Sequence, residues 1–325
     1  MSGSQSQLST EVMEGVYLCS KLDLPELFGS EMDALPNIRM YRPEDVPDPA
    51  RIRFALVWQP TDDAFEAYPN IELVQVIAAG VDGVLRTPGL PESAVVTRVH
   101  DHEQAAVMAG FAVWNVVWHH RHMGCYLAAQ ANKDWERISL KTLRPPSTIT
   151  VGILGYGLMG RTIAAAVGAL GFNVVVATRT AGTSEDGVSR IAGPGAIQQV
   201  AARSDILINI LPMTDATLDI LNSDLFDAMP KGAALIQLAR GQHLVEDDLL
   251  HALDSGQLSG ASLDVFRVEP LPKDHPFWGH PKIVITPHEA SVTSPSAVAQ
   301  ALDRSVRELS AGERPSTAVN TAAGY

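Results

Sequence analysis

The stretch Thr148–Thr180, TITVGILGYGLMGRTIAAAVGALGFNVVVATRT, constrains the fold more than any other part of the chain. Ile149–Ile153 is apolar and rich in β-branched residues, the pattern of a buried parallel strand. Gly155-Tyr156-Gly157-Leu158-Met159-Gly160 follows at once. Good helix formers then run from Arg161 to Leu170, Gly171 stops them, and a second apolar segment spans Asn173–Ala177. Strand, glycine turn, helix and strand in this order make a dinucleotide-binding unit. Gly155 permits a tight turn, Gly157 lets a pyrophosphate reach the backbone, and Gly160 lets the helix pack closely. The helix N-terminus presents N–H groups and partial positive charge to the phosphates. Leu158 and Met159, in its first turn, belong to the same cradle.

The rest of the chain extends this pattern. Short strands are expected at Gly15–Leu18, Asn37–Tyr41, Phe54–Trp58, Leu73–Ala78 and Ala94–Arg98, with helices at Leu24–Leu35 and Asp62–Tyr68. Beyond the glycine turn, strands are expected at Asp205–Ile210, Ala233–Leu238, Ala261–Val265 and Ile283–Thr286. Helices Ala196–Ala202, Ser223–Met229 and Glu246–Ser255 alternate with them, giving a six-stranded second sheet. Alternation of this kind predicts α/β architecture with parallel, doubly wound sheets. The tail helix Pro295–Gly312 aligns Val298, Leu302, Val306 and Leu309 on one face and has no sheet beside it, so it is assigned back to the first block. The expected organisation is a Rossmann-type cofactor domain, residues 100–290, inserted into a flavodoxin-like outer domain, residues 1–99 and 291–325.

Composition narrows the function. The 325 residues are 46% hydrophobic and carry a formal net charge of −13, which argues against nucleic-acid or anionic-membrane partners. Mean hydropathy is +0.06. The opening MSGSQSQLSTEVMEG lacks the basic and apolar regions of a signal peptide. Cys19 and Cys125 are far apart and read as reduced thiols, so a cytoplasmic location is expected. Ala105–Trp118, apolar nearly all round but too short to span a bilayer, is read as a buried helix at a domain or subunit interface. His119, His120 and His122 near its end point apart on a helix. They are read with Arg121 as a basic C-terminus that suits the helix dipole, not as metal ligands; no metal is expected.

Three chemically active side chains stand just past predicted strands: Arg240 in QLARG, Glu269 in DVFRVEP and His288 in ITPHEA. The loop Ala79-Gly80-Val81-Asp82-Gly83 also follows a strand, on the side where open α/β sheets bind ligands. Trp58 ends another strand and lines either a substrate pocket or the core.

With GYGLMG at 155–160, LARG at 238–241, DVFRVEPLP at 264–272, TPHEA at 286–290, the AGVD loop at 79–82 and the closing AAGY, the chain resembles the D-isomer-specific 2-hydroxyacid dehydrogenases over nearly its whole length. The glyoxylate/hydroxypyruvate reductase branch is the nearest in pattern. The resemblance implies hydride transfer from a nicotinamide cofactor to a small 2-oxoacid. His288 would be the general acid, Glu269 its imidazolium partner, and Arg240 the fork that binds the substrate carboxylate and polarises the keto group. The N–H groups of Gly80 and Val81 would hold the same carboxylate. Asp264 would meet the nicotinamide carboxamide, and Leu211, Pro212, Thr217 and Ala239 would line the cofactor. The resemblance also implies that the Trp135 segment reaches a neighbouring subunit, and a homodimer is expected. Glu289 departs from the family pattern and is assigned to solvent. Gly110 stands where related chains often carry a glutamate and is given no role. A dinucleotide-sensing corepressor shares the same triad and is the alternative; formate dehydrogenase carries glutamine at the Glu269 position.

Cofactor choice is read at the end of the second strand. NAD-dependent relatives place an acidic residue there for the ribose hydroxyls. Here Thr178-Arg179-Thr180 follows, with no carboxylate before Glu185. A guanidinium and two hydroxyls suit a 2′-phosphate, so NADPH is expected to be preferred, with NADH possible.

Overall fold

The computed structural model describes residues 12–138, 143–182, 187–321 and 324. Glu185 and the closing Ala322, Ala323 and Tyr325 lie outside them. The chain separates into two compact units, residues 1–101 with 293–325, and residues 102–292.

The first unit is built on five parallel strands, β1 (Met13–Cys19), β2 (Ile38–Tyr41), β3 (Ile52–Trp58), β4 (Leu73–Val76) and β5 (Val95–Thr97). Their order is β2-β1-β3-β4-β5, the flavodoxin-like winding. Helix α1 (Leu24–Asp33) begins at Asp23, whose carboxylate accepts from the Glu26 N–H, and it buries Leu24, Phe28 and Met32. Helix α2 is the short Asp82–Leu85 turn after the AGV loop. The expected helix at Asp62–Tyr68 is a chain of tight turns, with bonds such as Ala64 N–H to Thr61 O and Tyr68 N–H to Phe65 O. Pro60 and Pro69 leave too few residues between them to offset helix nucleation. Phe65 and Tyr68 still reach the core, because an i, i+3 pair also faces one way in successive turns.

The second unit holds α3 (His102–His120), α4 (Met123–Asn132) and seven parallel strands: β6 (Thr150–Leu154), β7 (Asn173–Thr178), β8 (Val188–Ala192), β9 (Ile206–Asn209), β10 (Ala233–Gln237), β11 (Leu258–Leu263) and β12 (Ile283–Ile285). Their order β12-β11-β10-β9-β6-β7-β8 is that of a Rossmann sheet with an added edge strand. Between the strands lie α5 (Leu158–Ala169), α6 (Ala196–Ala201), α7 (Ser223–Ala228) and α8 (Glu246–Asp254). The sheet has seven strands rather than the expected six. Strand β8 escapes pattern reading because no helix separates it from β7 and its own alternation, Val-Ser-Arg-Ile-Ala, is short. Two cores cover the sheet: Leu225, Phe226, Leu249 and Phe277 on one face, and Met108, Val116, Ile163 and Val167 on the other.

The last helix, α9 (Pro295–Ser310), starts on a Ser294 side-chain cap and buries Val298, Leu302 and Val306 beside Leu24 and Phe28 of the first unit. The chain therefore leaves the first sheet, builds the second, and returns. Among the described residues no helix is long and apolar enough to cross a membrane.

Helix α3 departs from its expected burial. One flank, with Ala105, Ala109, Ala112 and Val116, is packed, while Val107 and Trp114 are about half exposed in the single chain. Phe111, Trp114 and Trp118 form a ladder along it, with ring centroids 6.3 and 5.2 Å apart.

Candidate active site

Strand β6 delivers the chain into Gly155, whose φ of +102° only glycine adopts easily. A Cβ there would come within 2.9 Å of the Ile210 carbonyl oxygen, and one on Gly160 would collide with the Gly155 carbonyl. These two glycines let strand, turn and helix touch. Gly157 differs: a Cβ on it would meet nothing within 4 Å. It is also the N-cap of α5 and offers no side-chain cap. The first N–H groups of α5, on Leu158, Met159 and Gly160, thus lack intrahelical partners, and with the open space beside Gly157 this suits a pyrophosphate. Tyr156 extends from the turn with the Arg190 guanidinium 4.5 Å and the Arg161 guanidinium 5.5 Å from its ring centroid. Beyond β7, Arg179 and Thr180 are exposed. The Thr178 hydroxyl donates to the Thr180 carbonyl at 2.9 Å, so it braces the turn instead of pointing its proton outward.

A buried polar network at the ends of β9 and β10 shapes the next loops, and pattern reading missed it. Asn209 Nδ2 donates to Gln237 Oε1 at 2.9 Å and lies 3.1 Å from His243 Nδ1. Gln237 Nε2 donates to the Arg240 carbonyl at 2.9 Å, and Gln237 Oε1 accepts from the Ala239 N–H at 3.2 Å. His243 Nε2 lies 3.3 Å from the Pro212 carbonyl, and the Leu211 N–H donates to Asn209 Oδ1 at 3.3 Å. Thr217, itself buried, donates to the Pro212 carbonyl at 2.8 Å. The signal was present: ILIN and AALIQ end apolar runs on an amide. Gln237→Leu would remove the acceptor of one Asn209 amide hydrogen and of the Ala239 N–H, and the side-chain donor to the Arg240 carbonyl. It should cost about 1–3 kcal/mol, read as a lower midpoint in chemical denaturation; an unchanged midpoint would show that the network is dispensable.

The three reactive side chains come from loops after β10, β11 and β12. Gly241 packs so closely on the Phe266 backbone that a Cβ would overlap it, locking the Arg240 loop to the Glu269 loop. Arg267, missed as a brace, donates from Nε to the Leu244 carbonyl at 2.6 Å and pairs with Asp219. Arg240 donates to its neighbour's carbonyl, Ala239 O, at 2.8 Å. Glu269 accepts from the Phe266 N–H at 3.0 Å through Oε1, and its Oε2 lies 2.8 Å from His288 Nδ1. Burial alone would raise the Glu269 carboxyl. The His288 hydrogen bond, the Phe266 N–H and the charges of His288 and Arg240 more than offset it and hold it below its ordinary range.

His288 sits at φ +61°, a conformation rare for a side-chain-bearing residue. Asp264 imposes it. Its carboxylate, only 1% exposed, accepts from the Thr286 hydroxyl at 2.6 Å and from the Glu289 and Ala290 N–H groups at 2.9 Å each. Its backbone carbonyl accepts from the His288 N–H at 2.8 Å. With Nδ1 bound to Glu269, His288 keeps Nε2 for other chemistry, and its side chain is 41% exposed. The Glu289 side chain is exposed.

In the first unit, Trp58 ends β3 half-buried against both cores of that unit. The N–H groups of Gly80 and Val81 donate to no backbone carbonyl among the described residues. The histidines at the end of α3 need a correction. His119 is half-buried, lies 2.9 Å through Nε2 from the Ser262 hydroxyl, and is pushed down to about 4 by desolvation and by the nearby His122. It is therefore neutral and structural, not part of a charged helix end. His120 faces the Arg144 carbonyl instead, at 2.7 Å. Among the described residues no group of three His, Cys, Asp or Glu side chains is placed to hold a metal ion.

Comparison with known proteins identifies the family. The sequence profile of the D-isomer specific 2-hydroxyacid dehydrogenase NAD binding domain matches residues 113–290. Glyoxylate/hydroxypyruvate reductase A of Serratia proteamaculans is 40% identical over 280 residues, covering 84% of this chain and 87% of that protein. The Yersinia enterocolitica protein of the same name is 37% identical and covers 89% and 92%. A D-isomer specific 2-hydroxyacid dehydrogenase from Xanthobacter autotrophicus, solved with NADPH and MES, superposes with a TM-score of 0.89 at 33% identity, covering 96% of this chain and 99% of that one. An NADPH-dependent glyoxylate/hydroxypyruvate reductase from Sinorhizobium meliloti, solved with NADP and sulfate, gives 0.88 at 30% identity, with the same coverage. Glycine turn, strand-end arginine and His–Glu pair thus occur together in a chain that belongs to the D-isomer specific 2-hydroxyacid dehydrogenase family.

Proposed function

We propose that the protein reduces a small 2-oxoacid of the glyoxylate or hydroxypyruvate type to the 2-hydroxyacid, with NADPH preferred over NADH. The observation that carries this reading is the 2.8 Å pair of His288 Nδ1 and Glu269 Oε2, in the same unit as Arg240 and an open glycine turn. The names of the relatives above point the same way.

The turn fits a nicotinamide dinucleotide, since Gly157 leaves room and α5 is uncapped. When bound, the reduced cofactor supplies the hydride. His288 presents Nε2 as the proton donor for the carbonyl oxygen, and anionic Glu269, bound to Nδ1, keeps the ring oriented. Arg240 binds the substrate carboxylate through its planar fork and draws electron density from the adjacent carbonyl. In the first unit, the N–H groups of Gly80 and Val81 donate to no backbone carbonyl among the described residues and suit a carboxylate. Asp264 spends three of its four acceptor directions on the His288 loop, which leaves one for a carboxamide. Leu211, Pro212, Thr217 and Ala239 shape the cofactor's other side.

Arg179 reads the 2′-phosphate. A charge-assisted contact of that kind is worth about 1.5–3 kcal/mol, roughly ten- to a hundredfold. Steady-state kinetics with glyoxylate should favour NADPH over NADH in kcat/KM by that margin, and Arg179→Ala should remove most of it. A wild-type enzyme that uses NADH equally well would refute the assignment.

The working form is a homodimer built on the second unit. Val107 and Trp114 on α3, together with Trp135 at 94% exposure, form apolar surface that a second copy would bury. Light scattering should return twice the chain mass; a monomer at working concentration would contradict it.

A further inference from the structure

We infer that Arg190 is a second determinant of cofactor specificity, a guanidinium mounted on Tyr156 that binds the 2′-phosphate alongside Arg179. The inference rests on the dinucleotide reading of the glycine turn and extends it to a residue on the edge strand.

Arg190 belongs to β8, which runs parallel to β7 with Arg190 opposite Val176 and Ala192 opposite Thr178. Side chains two apart on a strand share a face. Val188 packs into the core that contains Ile163 and Val167 of α5 and is flanked by Tyr156 and Met159. Arg190 therefore lies on the α5 side of the sheet, one pair nearer the glycine turn. Its guanidinium stands 4.5 Å from the Tyr156 ring centroid. A Cβ on Gly182 would collide with Arg190 Nη1, so the same guanidinium touches the segment that follows Arg179 and Thr180. It thus bridges the two stretches assigned to the cofactor, the glycine turn and the end of β7. Arg161, in the first turn of α5, is a second cation near the same ring at 5.5 Å.

In a chain of net charge −13 this gathering of arginines favours an anion. A guanidinium lying over an aromatic ring is held by the ring's electron density. Its N–H donors radiate in its own plane, towards the edge, where phosphate oxygens can accept them. Tyr156 acts as the platform that fixes the fork before the ligand arrives. A nucleotide with only hydroxyls on that ribose gains little from it.

Binding measurements on the full-length protein decide the matter. Isothermal titration with adenosine 2′,5′-bisphosphate, adenosine 5′-monophosphate, NADPH and NADH should be run on wild type, Arg179→Ala and Arg190→Ala. Arg190→Ala should weaken the bisphosphate and NADPH roughly tenfold or more while leaving the monophosphate and NADH within a factor of about two. Arg190→Gln keeps a planar polar head without the charge, and should show the same selective loss if the alanine variant folds poorly. A wild type that binds monophosphate and bisphosphate equally would overturn both this inference and the NADPH reading. A wild type that prefers the bisphosphate, loses that preference in Arg179→Ala and keeps it in Arg190→Ala would overturn the inference alone. Equal weakening of all four ligands in both Arg190 variants would show that Arg190 only ties β8 to the glycine turn, which also overturns it.

Discussion

His288→Ala is expected to lower kcat for 2-oxoacid reduction by about a hundred- to ten-thousandfold, the usual contribution of a positioned general acid. Cofactor affinity should change little, because the phosphate cradle is built by the 155–160 turn and α5. The wild-type pH profile should carry the same signature. Glu269 lies below the ordinary carboxylate range, held there against burial by the His288 hydrogen bond, the Phe266 N–H and two nearby positive charges. It therefore stays anionic through neutrality, while reduction of a carbonyl consumes a proton and its reversal releases one. Reductive kcat/KM should fall as pH rises, while the reverse oxidation, which needs an unprotonated ring, should gain. The alanine variant should lack the alkaline limb. Turnover near wild type in that variant would remove His288 from the reaction.

Arg240→Lys should raise KM for the oxoacid by roughly ten- to a hundredfold, the equivalent of about 1.5–3 kcal/mol. Lysine keeps the charge but offers a single ammonium where the substrate carboxylate and keto oxygen together want a planar fork. The loop itself should survive, because the Arg240 backbone is held by Gln237 and by the packing of Gly241 on Phe266. Cofactor dissociation constants and the melting temperature serve as controls. Unchanged KM with both controls intact would mean that Arg240 does not hold the carboxylate.

How much of this was legible beforehand follows from how local each signal is. The glycine turn was readable because strand, turn and helix adjoin in sequence and each glycine answers a local demand, as the φ of Gly155 and the empty space over Gly157 illustrate. The assignment of α9 to the first sheet was readable from one amphipathic stripe with no sheet beside it. Strand β8 was not, because the usual cue, an intervening helix, is absent. The Asn209–Gln237–His243 network joins residues from separate strands and loops, and only folding brings them within 2.9–3.1 Å. His119 misled for the same reason: the residues that follow it, His120, Arg121 and His122, are polar, while its partner in space is Ser262, 143 residues away. The flank of α3 that bears Val107 and Trp114 looked buried because apolar composition alone does not say which side of a helix the chain's own core covers.

The His288–Glu269 pair is proposed to perform chemistry on a 2-oxoacid and not merely to accompany a bound dinucleotide. The most direct measurement follows cofactor oxidation by the purified protein with NADPH and glyoxylate, hydroxypyruvate or pyruvate in turn, and cofactor reduction with NADP and formate. Steady turnover with glyoxylate or hydroxypyruvate, formation of the matching 2-hydroxyacid, and no reaction with formate are expected. Tight NADPH binding without turnover of any 2-oxoacid would contradict the proposal and mark the protein as a dinucleotide sensor, and oxidation of formate would assign the site to a different reaction.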